Sequence, residues 1–133
     1  MIAYFLPPVL VALGGALGAM ARFWLSGVVA RRVGETFPWG TLVINVSGAV
    51  AIGFLAGATL EGGQVPMHSL PWLTLAIGIL GSYTTVSSFS LQTLTLMRSG
   101  EWRSALWNVF ASLALCVAGV SVGFAGGLMV SRI

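Results

Sequence analysis

The side chains in this sequence that could do chemistry are mostly neutral hydrogen-bond donors. Gly81, Ser82, Tyr83, Thr84, Thr85, Val86, Ser87, Ser88, Phe89 and Ser90 follow one another, a run of hydroxyls with an aromatic ring near its end. Asn45 stands four residues after Thr41 and three before Gly48, so all three would share a helix face. Asn108, Ser112 and Cys116 recur at steps of four, which on a helix draws a stripe of polar groups along one side. Arg22 adds a positive charge four residues beyond Gly18. Hydroxyl and amide groups can replace the water around a small ion, and the positive edge of a ring such as Phe89 can assist. Covalent catalysis has no comparable basis. No His or Lys adjoins the hydroxyl run, and His68 has no second His or Cys nearby to make a metal site, so an enzyme is not expected.

These groups must be positioned by elements suited to a bilayer. Of 133 residues, 57% are hydrophobic and 7% charged, against about 25% charged in an average soluble domain. The charges are six Arg and three Glu, with no Lys or Asp, too few to dissolve this much apolar surface. Charge-free stretches long enough to cross the hydrocarbon core, about 20 residues, predict an all-α membrane protein of four spans, near 4–30, 38–60, 71–97 and 104–130, forming one domain over residues 1–133. The start reads as a retained span, because no charge precedes Arg22 and a signal peptide would open on a basic segment. Charges punctuate the spans, at Arg31, Arg32 and Glu35, at Glu61, and at Arg98, Glu101 and Arg103. Gly62, Gly63 and Pro66 mark the second loop, and Pro38 and Pro71 suit first-turn helix positions. The first and third loops hold four arginines and the opposite side only Arg132, which favours chain ends outside. Scattered arginines offer no patch for nucleic acid, and the single Cys116 has no disulfide partner. Gly14 and Gly18, Gly53 and Gly57, and Gly119, Gly123 and Gly127 keep the four-residue spacing of close helix packing.

Polar groups at membrane depth are costly and mark where function is to be sought. The hydroxyl run falls in the middle of the third span, where Gly81 and the β-branched Thr84-Thr85-Val86 weaken a helix, so a break is expected there; a continuous, hydroxyl-rich packing helix is the other reading. Asn45 suits either interhelical glue or a ligand group, and Arg22 either an interfacial anchor or a source of positive potential at a vestibule. No Asp or Glu falls inside a span, which argues against proton-coupled exchange and leaves a pathway of neutral donors suited to an anion.

The segments Gly15 to Arg22, Phe37 to Asn45 (Phe-Pro-Trp-Gly-Thr-Leu-Val-Ile-Asn) and Gly81 to Ser90 resemble the fluoride channel family, the Fluc or CrcB-like fluoride exporters, over nearly the whole chain. The resemblance implies an antiparallel, dual-topology dimer of four-helix subunits in the cell inner membrane. It also implies two fluoride pores, and a structural sodium ion at the centre. By position, Gly81 and Thr84 would give backbone carbonyls to the sodium. Asn45, Phe89 and Ser112 would line the fluoride path, Thr85 and Ser88 would add hydroxyls, Asn108 would extend the donor stripe and Arg22 would attract the anion. The family usually has Gly-Gly at Gly81-Ser82 and a phenylalanine at Val86, so this chain keeps one of two aromatic edges. Some family members pair with an oppositely oriented paralogue, which makes a heterodimer the alternative to a homodimer.

Overall fold

The computed structural model describes residues 2–60 and 69–132. Glu61, Gly62, Gly63, Pro66 and His68, read above as the second loop, lie outside the described residues. The fold is all-α, with no strand among the described residues and four spans at Tyr4–Val33, Trp39–Thr59, Leu70–Arg98 and Trp102–Ser131. Helix α1 (Ile2–Val33) forms the first span and α2 (Trp39–Leu60) the second. The third is assembled from α3 (Leu70–Trp72), a π-helical stretch (Leu73–Leu80), α4 (Gly81–Tyr83) and α5 (Val86–Arg98), and α6 (Trp102–Ser131) forms the fourth.

Local sequence explains where the elements stop. Gly34 at φ +86° ends α1 in a conformation that disfavours a Cβ, with its N–H on the Ala30 carbonyl at 3.0 Å. Gly100, at φ +84°, closes α5 in a Schellman turn: Glu101 N–H reaches the Leu96 carbonyl at 2.9 Å and Gly100 N–H reaches Met97 at 3.2 Å. Pro71 sits in the first turn of α3 behind the Ser69 cap, and Pro38 immediately precedes α2.

Packing rests on glycine faces. A Cβ on Gly53 would strike the Val120 carbonyl, and one on Gly123 the Val50 carbonyl, so α2 and α6 lie backbone against backbone. Gly14 and Gly78 also bring α1 close to the π-helical stretch: a Cβ on Gly14 would come within 2.8 Å of the Thr74 carbonyl. The outer surface is apolar, with Phe23 83% and Phe110 64% exposed, an inversion of a water-soluble protein that lipid resolves. The chain is a multi-pass membrane protein.

Candidate functional site

The third span breaks for two residues. Thr84 (φ −78°, ψ 160°) and Thr85 (φ −152°, ψ 120°) are extended between α4 and α5. Of the expected weak points, Gly81 is itself helical, and its N–H bonds the Ala76 carbonyl five residues back. The break therefore falls on the β-branched pair, where side chains can satisfy the freed backbone.

Three elements hold it. The Asn45 side chain of α2 pairs with Thr85 as another peptide would: Oδ1 accepts the Thr85 N–H at 2.8 Å and Nδ2 donates to the Thr85 carbonyl at 2.9 Å. Two residues further along α2, the Ser47 hydroxyl meets the Tyr83 phenol at 2.8 Å. From α1, the Gly15 carbonyl accepts the Ser82 hydroxyl at 2.7 Å, and Arg22 Nη1 makes a long contact, 3.5 Å, to the Thr84 carbonyl. Gly18 and Gly48 leave room for this: a Cβ on Gly18 would strike the Ser82 hydroxyl, and one on Gly48 the Thr84 methyl.

Beyond the break, α5 opens on a cluster of hydroxyls. The buried Thr85 side chain caps α5 by accepting the Ser88 N–H at 3.2 Å, donates to the Ser88 hydroxyl at 3.1 Å and shares a hydrogen bond with the Ser87 hydroxyl at 3.1 Å. These donors stand at the positive end of a helix dipole, where a negative charge is favoured. Ser88 and Arg22 border one cleft of about 540 Å³, shared with Ser26, Trp24, Arg31 and Glu35. Phe89 is half-buried, three residues from Val86, which is 76% exposed.

On α6 the stripe of polar residues divides. Asn108 is 1% exposed and donates from Nδ2 to the Thr93 hydroxyl at 2.9 Å, which in turn donates to the Phe89 carbonyl at 2.8 Å. Its amide ties α6 to α5 through Thr93. Ser112 is half-buried, and among the described residues its hydroxyl has no side-chain or backbone partner. Gln92 escaped the sequence reading, although its place one turn after Ser88 puts it on the same face of α5. Its Oε1 is buried without a partner, at a cleft of about 390 Å³ that Thr41, Thr95 and Ser26 also line.

The sodium ion implied by the family resemblance meets a compatible donor set. Asn45 takes the Thr85 N–H, so the Gly81 carbonyl loses the donor a continuous helix would return to it. The Thr84 carbonyl has only the long Arg22 contact. Both oxygens lie at the C-terminal, negative end of a half-helix, the kind of backbone site that holds alkali cations in membrane proteins. Gly81 and Thr84 would hold the ion through neutral oxygens, and among the described residues no group of three His, Cys, Asp or Glu exists to favour a transition metal.

Residues 9–124 match the family described as CrcB-like protein, Camphor Resistance (CrcB). The chain is 58% identical over 115 residues to "Fluoride-specific ion channel FluC 2" of Rhodopseudomonas palustris (strain BisB18), covering 86% of this chain and 88% of that protein. It is 52% identical over 113 residues to "Fluoride-specific ion channel FluC" of Opitutus terrae, covering 85% and 86%. With "Fluoride-specific ion channel FluC 3" of Brucella suis biovar 1 it shares 51% over 121 residues, covering 91% and 90%.

Proposed function

Because the chain belongs to the CrcB-like family, we propose that it is a fluoride-selective channel of the cell inner membrane that lets fluoride leave the cytoplasm passively and so lowers its toxicity. The observation that carries this reading is the helix break with its neutral donors: Thr85, Ser87 and Ser88 hydroxyls gathered at the start of α5, with Arg22 on the cleft that Ser88 borders. Fluoride holds its water tightly, and a pathway must offer equivalent donors at close range. Hydroxyls at a helix N-terminus do so without a permanent charge that would trap the ion.

In this reading Arg22 supplies positive potential at the vestibule, Thr85, Ser88 and Ser112 hand the ion along by hydrogen bonds, and Phe89 offers its ring edge. Asn45 keeps a second Nδ2 hydrogen beyond the one given to Thr85, and that hydrogen can face the path. Asn108 fixes α5 against α6 beside it. Val86 contributes an aliphatic wall. Transport is passive: Glu35 and Glu101 lie outside the four spans, so among the described residues no carboxylate at membrane depth is there to exchange protons. The working unit is an antiparallel dual-topology homodimer with lipid around it and sodium at its centre. The exposed face bearing Val86 and the open carbonyls of Gly81 and Thr84 support it.

The test is fluoride efflux from liposomes containing only this chain, followed with a fluoride electrode and with chloride as the control. Rapid fluoride loss with no chloride loss and no need for a proton gradient is expected. Flux that appears only with a proton gradient would overturn the passive channel. Folded protein that conducts only after an oppositely oriented paralogue is added would replace the homodimer with a heterodimer.

A further inference from the structure

Asn45 makes contacts that neither a pore-lining donor nor generic interhelical glue requires. Both its hydrogen bonds go to one residue, Thr85, one to the N–H at 2.8 Å and one to the carbonyl at 2.9 Å. The amide thus substitutes for a peptide strand, and it holds in extended form a residue whose N–H would otherwise close on Gly81. The adjacent Thr84 keeps its own helical bond, from its N–H to the Leu80 carbonyl at 3.1 Å, so the helix is opened at one peptide and no earlier. We propose that Asn45 is the positioning residue of the central cation site: by capturing the Thr85 N–H it strips the Gly81 carbonyl of its helical donor and aims it, with the Thr84 carbonyl, at a sodium ion. The inference rests on the sodium reading above. It gives α2, which supplies none of the carbonyls, control over how tightly the ion is held.

Outer groups that orient the ligands of a metal ion typically change its affinity by about 10- to 100-fold when removed. The experiment compares the unaltered chain with Asn45→Ala, Asn45→Asp and Ser112→Ala, each purified in detergent. Thermal unfolding is followed as sodium chloride replaces N-methylglucamine chloride, and hydrogen exchange at the Thr85 amide is measured in parallel. The unaltered chain is expected to gain stability with sodium and to protect the Thr85 amide. Asn45→Ala should expose that amide and raise the sodium midpoint by at least about tenfold. Asn45→Asp, which keeps an acceptor for the Thr85 N–H but loses the donor, should fall between. Ser112→Ala should leave the midpoint where it was. An unchanged sodium midpoint in Asn45→Ala, with the amide exposed, overturns the proposal while leaving the cation in place. If the unaltered chain itself shows no sodium response, the cation reading falls, and the proposal with it. Should Asn45→Ala fail to fold, the aspartate variant decides by the same two readouts.

Discussion

Val86 and Phe89 lie three residues apart at the start of α5, yet only one carries a ring. Val86 is the more exposed, so a larger side chain there meets no obstacle within the chain. An aromatic edge contributes about 0.5–1.5 kcal/mol, so Val86→Phe is expected to raise fluoride flux about 2- to 10-fold in the liposome assay. Phe89→Ile should lower it by a similar factor. Flux indifferent to both would show that ring edges play no part in the path. Asn108 makes a different contribution. Replacing it with Leu removes the bond to Thr93 while keeping the bulk, which should cost about 0.5–1.5 kcal/mol in detergent unfolding. Its place in the stripe of Asn108, Ser112 and Cys116 was visible from spacing alone, but the partner that occupies its amide was not: Thr93 lies on another helix, and only the α5–α6 turn brings the two together. The Asn45 pairing was hidden for the same reason. An amide and a backbone forty residues apart leave no mark on either local pattern.

The helices themselves were legible in outline because bilayer thickness imposes a length that charge-free stretches reveal. Their edges differ by small amounts that local chemistry explains: α1 runs on past Ala30 through Arg31 and Arg32 to Val33, since arginines tolerate a helix and Gly34 is the first residue that stops one. The hydroxyls, Gly81 and the β-branched Thr84-Thr85-Val86 run point to a break here, and it falls on Thr84 and Thr85, where Asn45 compensates the lost bonds. The π-helical winding of Leu73–Leu80 had no signature in an unbroken apolar run. The glycines at four-residue spacing, Gly14, Gly18, Gly53, Gly57, Gly119, Gly123 and Gly127, all meet a neighbouring helix closely, and Gly15 lies outside that pattern. A Cβ on Gly123 would strike the Val50 carbonyl of α2, whereas one on Gly15 would meet nothing within 4 Å. Gly123→Ala should therefore destabilise by about 1–3 kcal/mol through overpacking. Gly15→Ala should be neutral or stabilising by up to about 1 kcal/mol through helix propensity. Paired unfolding curves in one detergent check both, and equal shifts would mean that helix propensity, not contact, governs these faces.

Taken whole, the molecule turns apolar side chains outward and keeps its polar groups at a seam between half-helices, an order that only lipid makes stable. The face around Val86 stays open in one chain, and a partner subunit there would close the hydroxyl cluster from lipid. Cross-linking at position 86 through an introduced cysteine is expected to give a covalent pair; persistent monomer would count against the dimer. The four spans are also unequal. Tyr4–Val33 and Trp102–Ser131, at 30 residues each, reach about 45 Å, while the 21 residues of Trp39–Thr59 reach only about 32 Å. A hydrocarbon layer near 30 Å matches the short helix upright and the long ones only if they lean or protrude. Because α2 is short and carries Asn45, the depth of the clamp is set by the thinnest part of the protein, and a thicker bilayer would strain that helix first. The acyl chain length of the host lipid thus becomes a physical control on the channel, one that a membrane can adjust without altering a single residue.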